Sequence, residues 1–553
     1  MTNKEIANSF SDLAKMMELH GENPYRFKSY QNVYIQLRKL QTPLTEMSAD
    51  DMEAVKGVGK GTVAKIQEIL STGKLTALEE YKAKTPPGVI EMLQIKGFGP
   101  KKIMALWKGL EIETVGELLY ACNENRLVEL KGFGAKTQED LKKKLEYFLQ
   151  SKGKSHYAAI EPKANEFLNW VKKKLKPEVI EFVGEMARFC PVVNSVEVLV
   201  ATNSDVKILF DESTFILKEE VDANTFKGVF KESGVVLRTC SPDNFGSKKF
   251  RYTATADFMT AFLKESKQSD FKGIATEATV FEKAGIPFIQ PELRETGDVL
   301  KQAIAGELPD KLIEEQDIKG VIHSHTTYSD GIHTLQEMVE YAQSKNYRYI
   351  AITDHSKSAF YANGLKPDRV EAQWKEIDQL NAGLKDFKIF KSIESDILND
   401  GSLDYEKGML ENFDFIIASV HSNLKMDKDK ATKRLITAIE NPCTKILGHP
   451  TGRLLLSREG YPIDHAKVID ACAANGVSIE LNANPYRLDI DYQWIPYAKE
   501  KNVLISINPD AHSREGIHDI RFGIYAARKG QLTAETCLNT KSLIDFEDFI
   551  HAK

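Results

Sequence analysis

The sequence predicts a multidomain α/β protein built in three styles: an all-α N-terminal region, an α+β middle and a C-terminal (β/α)7 barrel. Three observations carry this. The chain has 553 residues, too many for one ordinary hydrophobic core, so about three domains are expected. A glycine-containing motif recurs three times before residue 140. From residue 320 onward seven β-branched runs alternate with helical patterns. A composition of 42% hydrophobic and 28% charged residues excludes extensive disorder. No long apolar run and no basic-then-apolar leader occur, so neither a membrane span nor a secretory signal is expected and the cytoplasm is the default. The six cysteines are scattered without a C-x-x-C pair, which fits reduced, structural thiols.

The N-terminal region is the basic end, with 24 Lys+Arg against 20 Asp+Glu over residues 1–155 and 50 against 60 over the rest. Within it, VKGVGKG (55–61), IKGFGPK (95–101) and LKGFGAK (130–136) repeat apolar-Lys-Gly-apolar-Gly, each ahead of a helical pattern. This is the helix-hairpin-helix signature. Paired glycines let the backbone turn tightly and present free N–H groups at a helix start, where a phosphate oxygen can be held. Such contacts read the nucleic-acid backbone and not its sequence. Gly57, Gly59, Lys60, Gly97, Gly99, Lys101, Gly132, Gly134 and Lys136 are therefore the candidate DNA-binding residues. Boundaries fall at 1–85 for a first helical domain and 86–155 for the remaining hairpins. The stretch VKGVGKGTVAKIQEILSTGKLTALEE resembles the small lyase domain of family-X DNA polymerases, and the resemblance places Lys65 on that family's Schiff-base lysine. A lysine on an amphipathic helix can equally be a solvated or phosphate-facing charge.

Residues 156–310 resemble the polymerase core of the same family through RTCSPDNFGSKKFRYTAT (238–255) and AGIPFIQPELRET (284–296). Nucleotidyl transfer needs clustered carboxylates for two magnesium ions. The resemblance puts a D-x-D strand at NSVEVLVAT, where Ser195 and Glu197 stand instead, and the third acid near Val236. No Gly-Ser turn precedes that strand, and Thr253-Ala254-Thr255 replaces a Thr-Gly-Ser-like turn. One glutamate cannot assemble two metals, so a degenerate nucleotidyltransferase-like palm and thumb is expected here.

The C-terminal region, 311–553, carries the chemistry. Ten of twelve histidines lie at or after His323, where scatter in proportion to length would put about five. Strand-like runs end at His323, His355, Glu394, His421, His449, Glu480 and Asp510, spaced 27 to 39 residues apart. In a (β/α) barrel those C-terminal strand ends form the active-site rim. His323 and His325 alternate and so point to the same side. Imidazole with carboxylate and without thiolate suits zinc, manganese or iron. The set HSHTTYSDG, ITDHS, IESD, SVHS, GHPTGR, ELNANPYRLD and NPDAHS resembles the polymerase-and-histidinol-phosphatase (PHP) family, in the form fused to bacterial family-X polymerases. The resemblance implies nine ligands for three divalent ions (Mn²⁺, Zn²⁺ or Fe²⁺) and no organic cofactor. It assigns His323, His325, Glu394 and Asp510 to one ion. Glu394 bridges to a second held by His421 and His449, and Asp330, His355 and His512 hold the third. VIHSH departs from the family's usual acidic-leucine pair before the first histidine, which bears on the support behind the ligands. Arg453, Arg487 and Arg514 follow ligand strands and can clamp phosphate or form surface ion pairs.

Together these parts lead to the expectation of a metal-dependent phosphoesterase acting on DNA: a 3′–5′ exonuclease or 3′-end-processing nuclease in repair, monomeric, nucleoid-associated, and drawn to gapped, nicked or 3′-ended DNA without sequence preference. Glu394, Arg453, Arg487 and Lys65 are its expected catalytic residues. A gap-filling polymerase, a small-molecule phosphatase of the histidinol-phosphate type and a noncatalytic DNA scaffold are the alternatives.

Overall fold

Seven segments, each after the first containing Ile and all buried along their length apart from Lys388, Lys391 and Lys445, form seven parallel strands that pair in strict chain order. In the computed structural model they are Gly320–Val321, Tyr349–Ile352, Lys388–Asp396, Phe415–Ser419, Thr444–Leu447, Ser478–Asn482 and Ile505–Asn508. First and last strands meet just beyond their ends: Ser324 bridges Ala511, His325 N donates to Ala511 O at 2.8 Å and Ala511 N to His323 O at 3.3 Å. The expected seven-stranded barrel is therefore present and nearly closed. Strands buried on both faces need helices outside, supplied by amphipathic segments such as Leu335–Ser344, Pro367–Asn381, Lys428–Ile439 and Ile520–Lys529. The C-terminal helix Leu543–His551 seals the opposite mouth, where Phe546 stacks on Tyr349 at 4.7 Å and packs against Phe390 and Phe415.

The structure describes the whole chain apart from Gln41, Lys96, Gly97, Glu129, Lys131, Gly132, Ser151, Lys152, Glu212, Glu232, Ser269, Lys553 and the side chains of Tyr147 and Gln150. Contacts divide it into two compact units: Met1–Leu119 with Asp140–Phe148, and Tyr120–Glu139 with Leu149–Lys553. The first unit is helical. Its leading helix Asn3–Leu19 starts at a Thr2–Glu5 capping box and buries Ile6, Phe10, Leu13 and Met17.

The second unit holds a five-stranded mixed sheet as well as the barrel. Its strands lie in the order Val179–Val183, Val196–Ala201, Ser233–Cys240, Thr225–Phe230, Phe215–Asp222. Polar ties within this unit join sheet-side residues to the barrel helix Ile520–Lys529. Lys529, whose side chain is 1% exposed, meets Glu295 at 2.6 Å, and Glu295 also takes Arg188 at 3.2 Å. Glu161 pairs with Arg521 at 2.7 Å and Glu292 with Arg528 at 2.5 Å. Among the described residues no helix is long and apolar enough to cross a membrane.

Candidate metal centre

Glu394 is the hub. It sits near the end of the strand Lys388–Asp396, with no exposed surface. His449 Nε2 lies 2.9 Å and His421 Nε2 3.1 Å from its Oε1, and His355 Nδ1 lies 2.9 Å from its Oε2. His323 Nε2 stands 3.5 Å from both Glu394 Oε1 and Asp510 Oδ1, and His325 Nε2 is 3.0 Å from Asp510 Oδ1. Asp330 reaches His512 Nε2 at 3.4 Å and His355 Nε2 at 3.6 Å. All nine positions inferred from the sequence thus come together in one buried cup, although they span 190 residues.

Three histidines share one construction. His323 Nδ1 hydrogen-bonds Glu480 at 2.7 Å, His421 Nδ1 Asp396 at 2.5 Å and His512 Nδ1 the Asp510 carbonyl at 3.0 Å. An imidazole that donates through Nδ1 keeps its Nε2 lone pair for the centre, the arrangement by which ligand histidines are oriented. Glu480 is itself saturated by donors: His449 N (3.1 Å), Asn482 Nδ2 (3.0 Å) and Asn508 Nδ2 (2.9 Å) in addition to His323. Asp354 pins the loop that carries Asp330 by accepting from Thr326 N (2.8 Å), Ser329 Oγ (2.5 Å) and Gln373 Nε2 (2.6 Å). Asp510 is left-handed at φ 52°, a conformation that costs a non-glycine residue energy and clusters at functional sites.

The donor set fits divalent cations. His323 Nε2, His325 Nδ1, both His355 nitrogens, Asp330 Oδ2, Glu394 Oε2, His449 Nδ1 and His512 Nε2 are buried without a hydrogen bond, a density of orphans that a folded core does not otherwise tolerate. Several stand about 3 Å from a neighbour yet are misaligned for hydrogen bonding, as atoms converging on a shared ion would be. Four groups of close ligand atoms result: His325-Asp330-His355-His512, His323-His325-Asp510, His355-Glu394-His421, and Glu124-Asp510-His512. His325, His355, Asp510 and His512 each serve two groups.

Electrostatics follow the same packing. Burial disfavours the charged form of His512, but Glu124 and Asp330 outweigh it and push the imidazole up to about 10. Burial is likewise overcome at His421 by Glu394 and Asp396, which raise it to about 9. At His325, burial and the neighbouring His512 and His355 push it down to about 3. Glu394 and Asp510 are held well below the carboxylate range, burial being overridden chiefly by His421 and His323 respectively.

The other predicted residues distribute unevenly. Arg487 is 4% exposed and donates to Tyr120 Oη at 2.8 Å. Arg453 is committed elsewhere, to the Arg487 carbonyl at 3.1 Å, the Leu488 carbonyl and Asp491. Arg514, beyond the last strand, pairs with Glu515 at 2.7 Å on the surface. Lys65 lies half-buried on the helix Lys60–Thr72.

In the hairpin repeats, Gly59, Gly99 and Gly134 each immediately precede a helix (Lys60–Thr72, Pro100–Leu110, Ala135–Gln150), and Gly57 is left-handed at φ 83°. Val58, Phe98 and Phe133 between the glycines are buried, whereas Lys60, Lys101 and Lys136 are exposed. Nothing lies within 4 Å of where a Cβ would stand on Gly57, Gly59, Gly99 or Gly134, so the backbone there is open to a ligand. Gly97 and Gly132 lie outside the described residues.

In the mixed sheet the register sets Glu197 directly opposite Val236. Glu197 Oε2 is taken by Arg238, at 2.9 Å from Nε and 2.7 Å from Nη2. A glycine turn does lie ahead of this strand, at Gly184 (φ 63°), but Glu185 follows it in place of serine. Among the described residues, none of the close ligand groups falls in this sheet.

Sequence reading named Glu480 as a strand marker without a role, and it missed Asp354 and Asp396 as supports. A buried acid next to each ligand motif (ITDHS, IESD, ELNAN) was the available signal. Glu124 had none, being almost 200 residues upstream of the nearest ligand.

Fold and centre define a class: a PHP-type barrel with a His/carboxylate cluster that could bind divalent metal, on a chain that opens with helix-hairpin-helix modules. Family models agree, matching a helix-hairpin-helix domain at residues 1–75, a SAM-like helix-hairpin-helix tandem at 89–146 and a PHP domain at 322–484. The DNA polymerase/3′-5′ exonuclease PolX of Bacillus subtilis is 33% identical over 575 aligned positions, covering 100% of this chain and 99% of that one. The chain belongs to the PolX family. Probable phosphatases of Thermoanaerobacter sp. and Vibrio atlanticus are each 28% identical, over 39% and 35% of this chain and 89% and 79% of theirs.

Proposed function

We propose that this PolX-family protein is a metal-dependent DNA phosphodiesterase, a 3′–5′ exonuclease or 3′-end-processing nuclease of DNA repair, whose polymerase activity has been lost. The observation that carries the reading is the gathering of nine candidate ligand side chains, Glu394 at their hub, in one buried cup, set against a mixed sheet in which the acid of the strand Val196–Ala201, Glu197, is bound by arginine. Three divalent ions, Mn²⁺, Zn²⁺ or Fe²⁺, would supply an activated water and charge neutralisation at the scissile phosphate. His323, His325, Glu394 and Asp510 would hold one, Glu394 with His421 and His449 the second, and Asp330, His355 and His512 the third. The protein's own part is positional: Glu480 and Asp396 orient imidazoles, Asp354 fixes the Asp330 loop, and Arg487 offers a buried cation beside the cup. Gapped, nicked or 3′-ended DNA would be held through its backbone by the open glycine turns and Lys60, Lys101 and Lys136, in the cytoplasm and by a monomer. Lys65 as a lyase nucleophile and domain boundaries at 85, 155 and 310 belong to the same proposal.

A direct test is Mn²⁺-dependent digestion of a 5′-labelled single strand by the full chain. A ladder shortening from the 3′ end supports the reading; intact DNA alongside hydrolysis of small phosphate monoesters would replace it with a phosphatase. The second reading, a DNA polymerase, is favoured by the full-length match to the Bacillus protein and opposed by the Glu197–Arg238 pair.

A further inference from the structure

One carboxylate at the centre does not come from the barrel. Tyr120–Glu139, the segment entering the third hairpin repeat, belongs to the same compact unit as the barrel. Glu124, 2% exposed, brings its Oε2 to 3.0 Å from His512 Nε2 and shares a ligand group with Asp510 and His512. Its hold is weak. Oε1 receives only a 3.4 Å bond from Asn484 Nδ2, and the approach to His512 is not aligned for hydrogen bonding. Glu480 and Asp354, equally buried, are each gripped by several tight donors.

One buried cation, Arg487, and one half-buried cation, Arg126, flank the intruding carboxylate. Arg487 donates to Tyr120 Oη, and Arg126 lies 4.7 Å from the centre of the Tyr361 ring with its Nε unbonded. Neither forms an ion pair among the described residues. Asn123, next to Glu124, has both amide atoms buried and unbonded, and so is the Tyr361 hydroxyl. Guanidiniums that feel Glu124, Asp510 and Asp330 only at longer range, with orphaned polar atoms around them, are costly unless something else fills the space. A phosphate has the charge, the oxygens and the planar edges that an arginine fork recognises.

We infer that Glu124 occupies the position of a non-bridging oxygen of the substrate phosphate, and that a DNA end must displace it, after which Arg126 and Arg487 hold the phosphate. The inference rests on the phosphoesterase reading and adds its gate: a carboxylate that competes with substrate at the His512 side of the cup. By population shift, apparent affinity falls by the fraction of molecules in which the gate is open.

The test compares the full-length, Mn²⁺-loaded wild type with Glu124→Gln, measuring bound Mn²⁺ by elemental analysis and the binding of inorganic phosphate by calorimetry. The expected result is an unchanged Mn²⁺ count and phosphate bound roughly tenfold more tightly by the variant, a gain removed by adding Arg126→Met. Unchanged or weaker phosphate binding overturns the inference and leaves the phosphoesterase reading intact. Loss of a Mn²⁺ equivalent also overturns it, making Glu124 a permanent ligand. Failure of both proteins to take up Mn²⁺ would bring down the inference and the phosphoesterase reading together. Should Glu124→Gln not fold, Asn484→Ala, which removes the one hydrogen bond to the Glu124 carboxylate among the described residues, must give a smaller gain of the same sign, and no gain counts against the gate.

Discussion

The second unit contains two β-sheets that each present carboxylate at a strand position suited to phosphate chemistry, and they use it in opposite ways. In the barrel, Glu394 is surrounded by imidazoles, two of which, His323 and His421, are anchored through their far nitrogens, while the far nitrogens of His449 and His355 are buried and unbonded. In the mixed sheet, Glu197 faces Val236 across the register and is neutralised by Arg238. A carboxylate becomes a metal ligand through neighbours that leave its charge unsatisfied. An arginine fork does the reverse, converting the same group into a structural ion pair.

The sharpest way to break this contrast is to remove the hub. Glu394→Ala is expected to lower Mn²⁺-dependent nuclease activity on the order of 10³-fold, while Glu197→Ala leaves it within about twofold; equal losses in steady-state digestion would erase the distinction. The ties around the barrel helix give the next largest effect. Glu295→Ala strands the buried Lys529 and should destabilise the second unit by about 3–5 kcal/mol, read from denaturant unfolding. Glu480→Gln frees the His323 ring and should weaken Mn²⁺ affinity by about 10–100-fold, measured by equilibrium dialysis, without a comparable loss of stability.

Acidity sharpens the same picture. Without metal, His421 and His512, raised to about 9 and 10, carry protons at pH 7, whereas His325, lowered to about 3, does not. Metal must displace those protons and the one on His323, whose imidazole, against burial, is held well above its ordinary value by Glu480, Asp510 and Glu394, so uptake should release about three per centre and apparent affinity should rise as pH climbs from 6 to about 9. Calorimetry in buffers of different ionisation enthalpy checks the sign; proton uptake would contradict it. The smallest effect lies in the hairpins. Lys60→Ala, Lys101→Ala and Lys136→Ala should each weaken DNA binding uniformly across sequences and reduce the salt slope by about one.

Much of this was legible in the chain itself. Alternation of β-branched runs with helices predicted the barrel, polar residues at seven strand ends marked its rim, and the resemblance to the PHP family supplied nine candidate ligands. Ser195, Glu197 and Val236, placed by resemblance to the family-X polymerase core, likewise led to the expectation that the acids for a second metal site are missing. The sequence could not show which arginines face the cup. Arg453, Arg487 and Arg514 all follow ligand strands, yet only loop geometry sends Arg487 inward while Arg453 braces its backbone and Arg514 turns to solvent. Glu124 was invisible for a related reason. Its proximity to His512 is a tertiary contact across 388 residues, with no periodicity or motif to announce it.

The central claim is that the barrel is chemically active and the mixed sheet silent, and one substrate interrogates both. A gapped duplex labelled at the 5′ end of its upstream strand is incubated with Mn²⁺ and all four dNTPs, with the natural protein and with Glu394→Ala in parallel. The account predicts stepwise shortening by the natural protein and an unchanged strand with the variant. Extension into the gap by both proteins would contradict it and restore the mixed sheet as a polymerase.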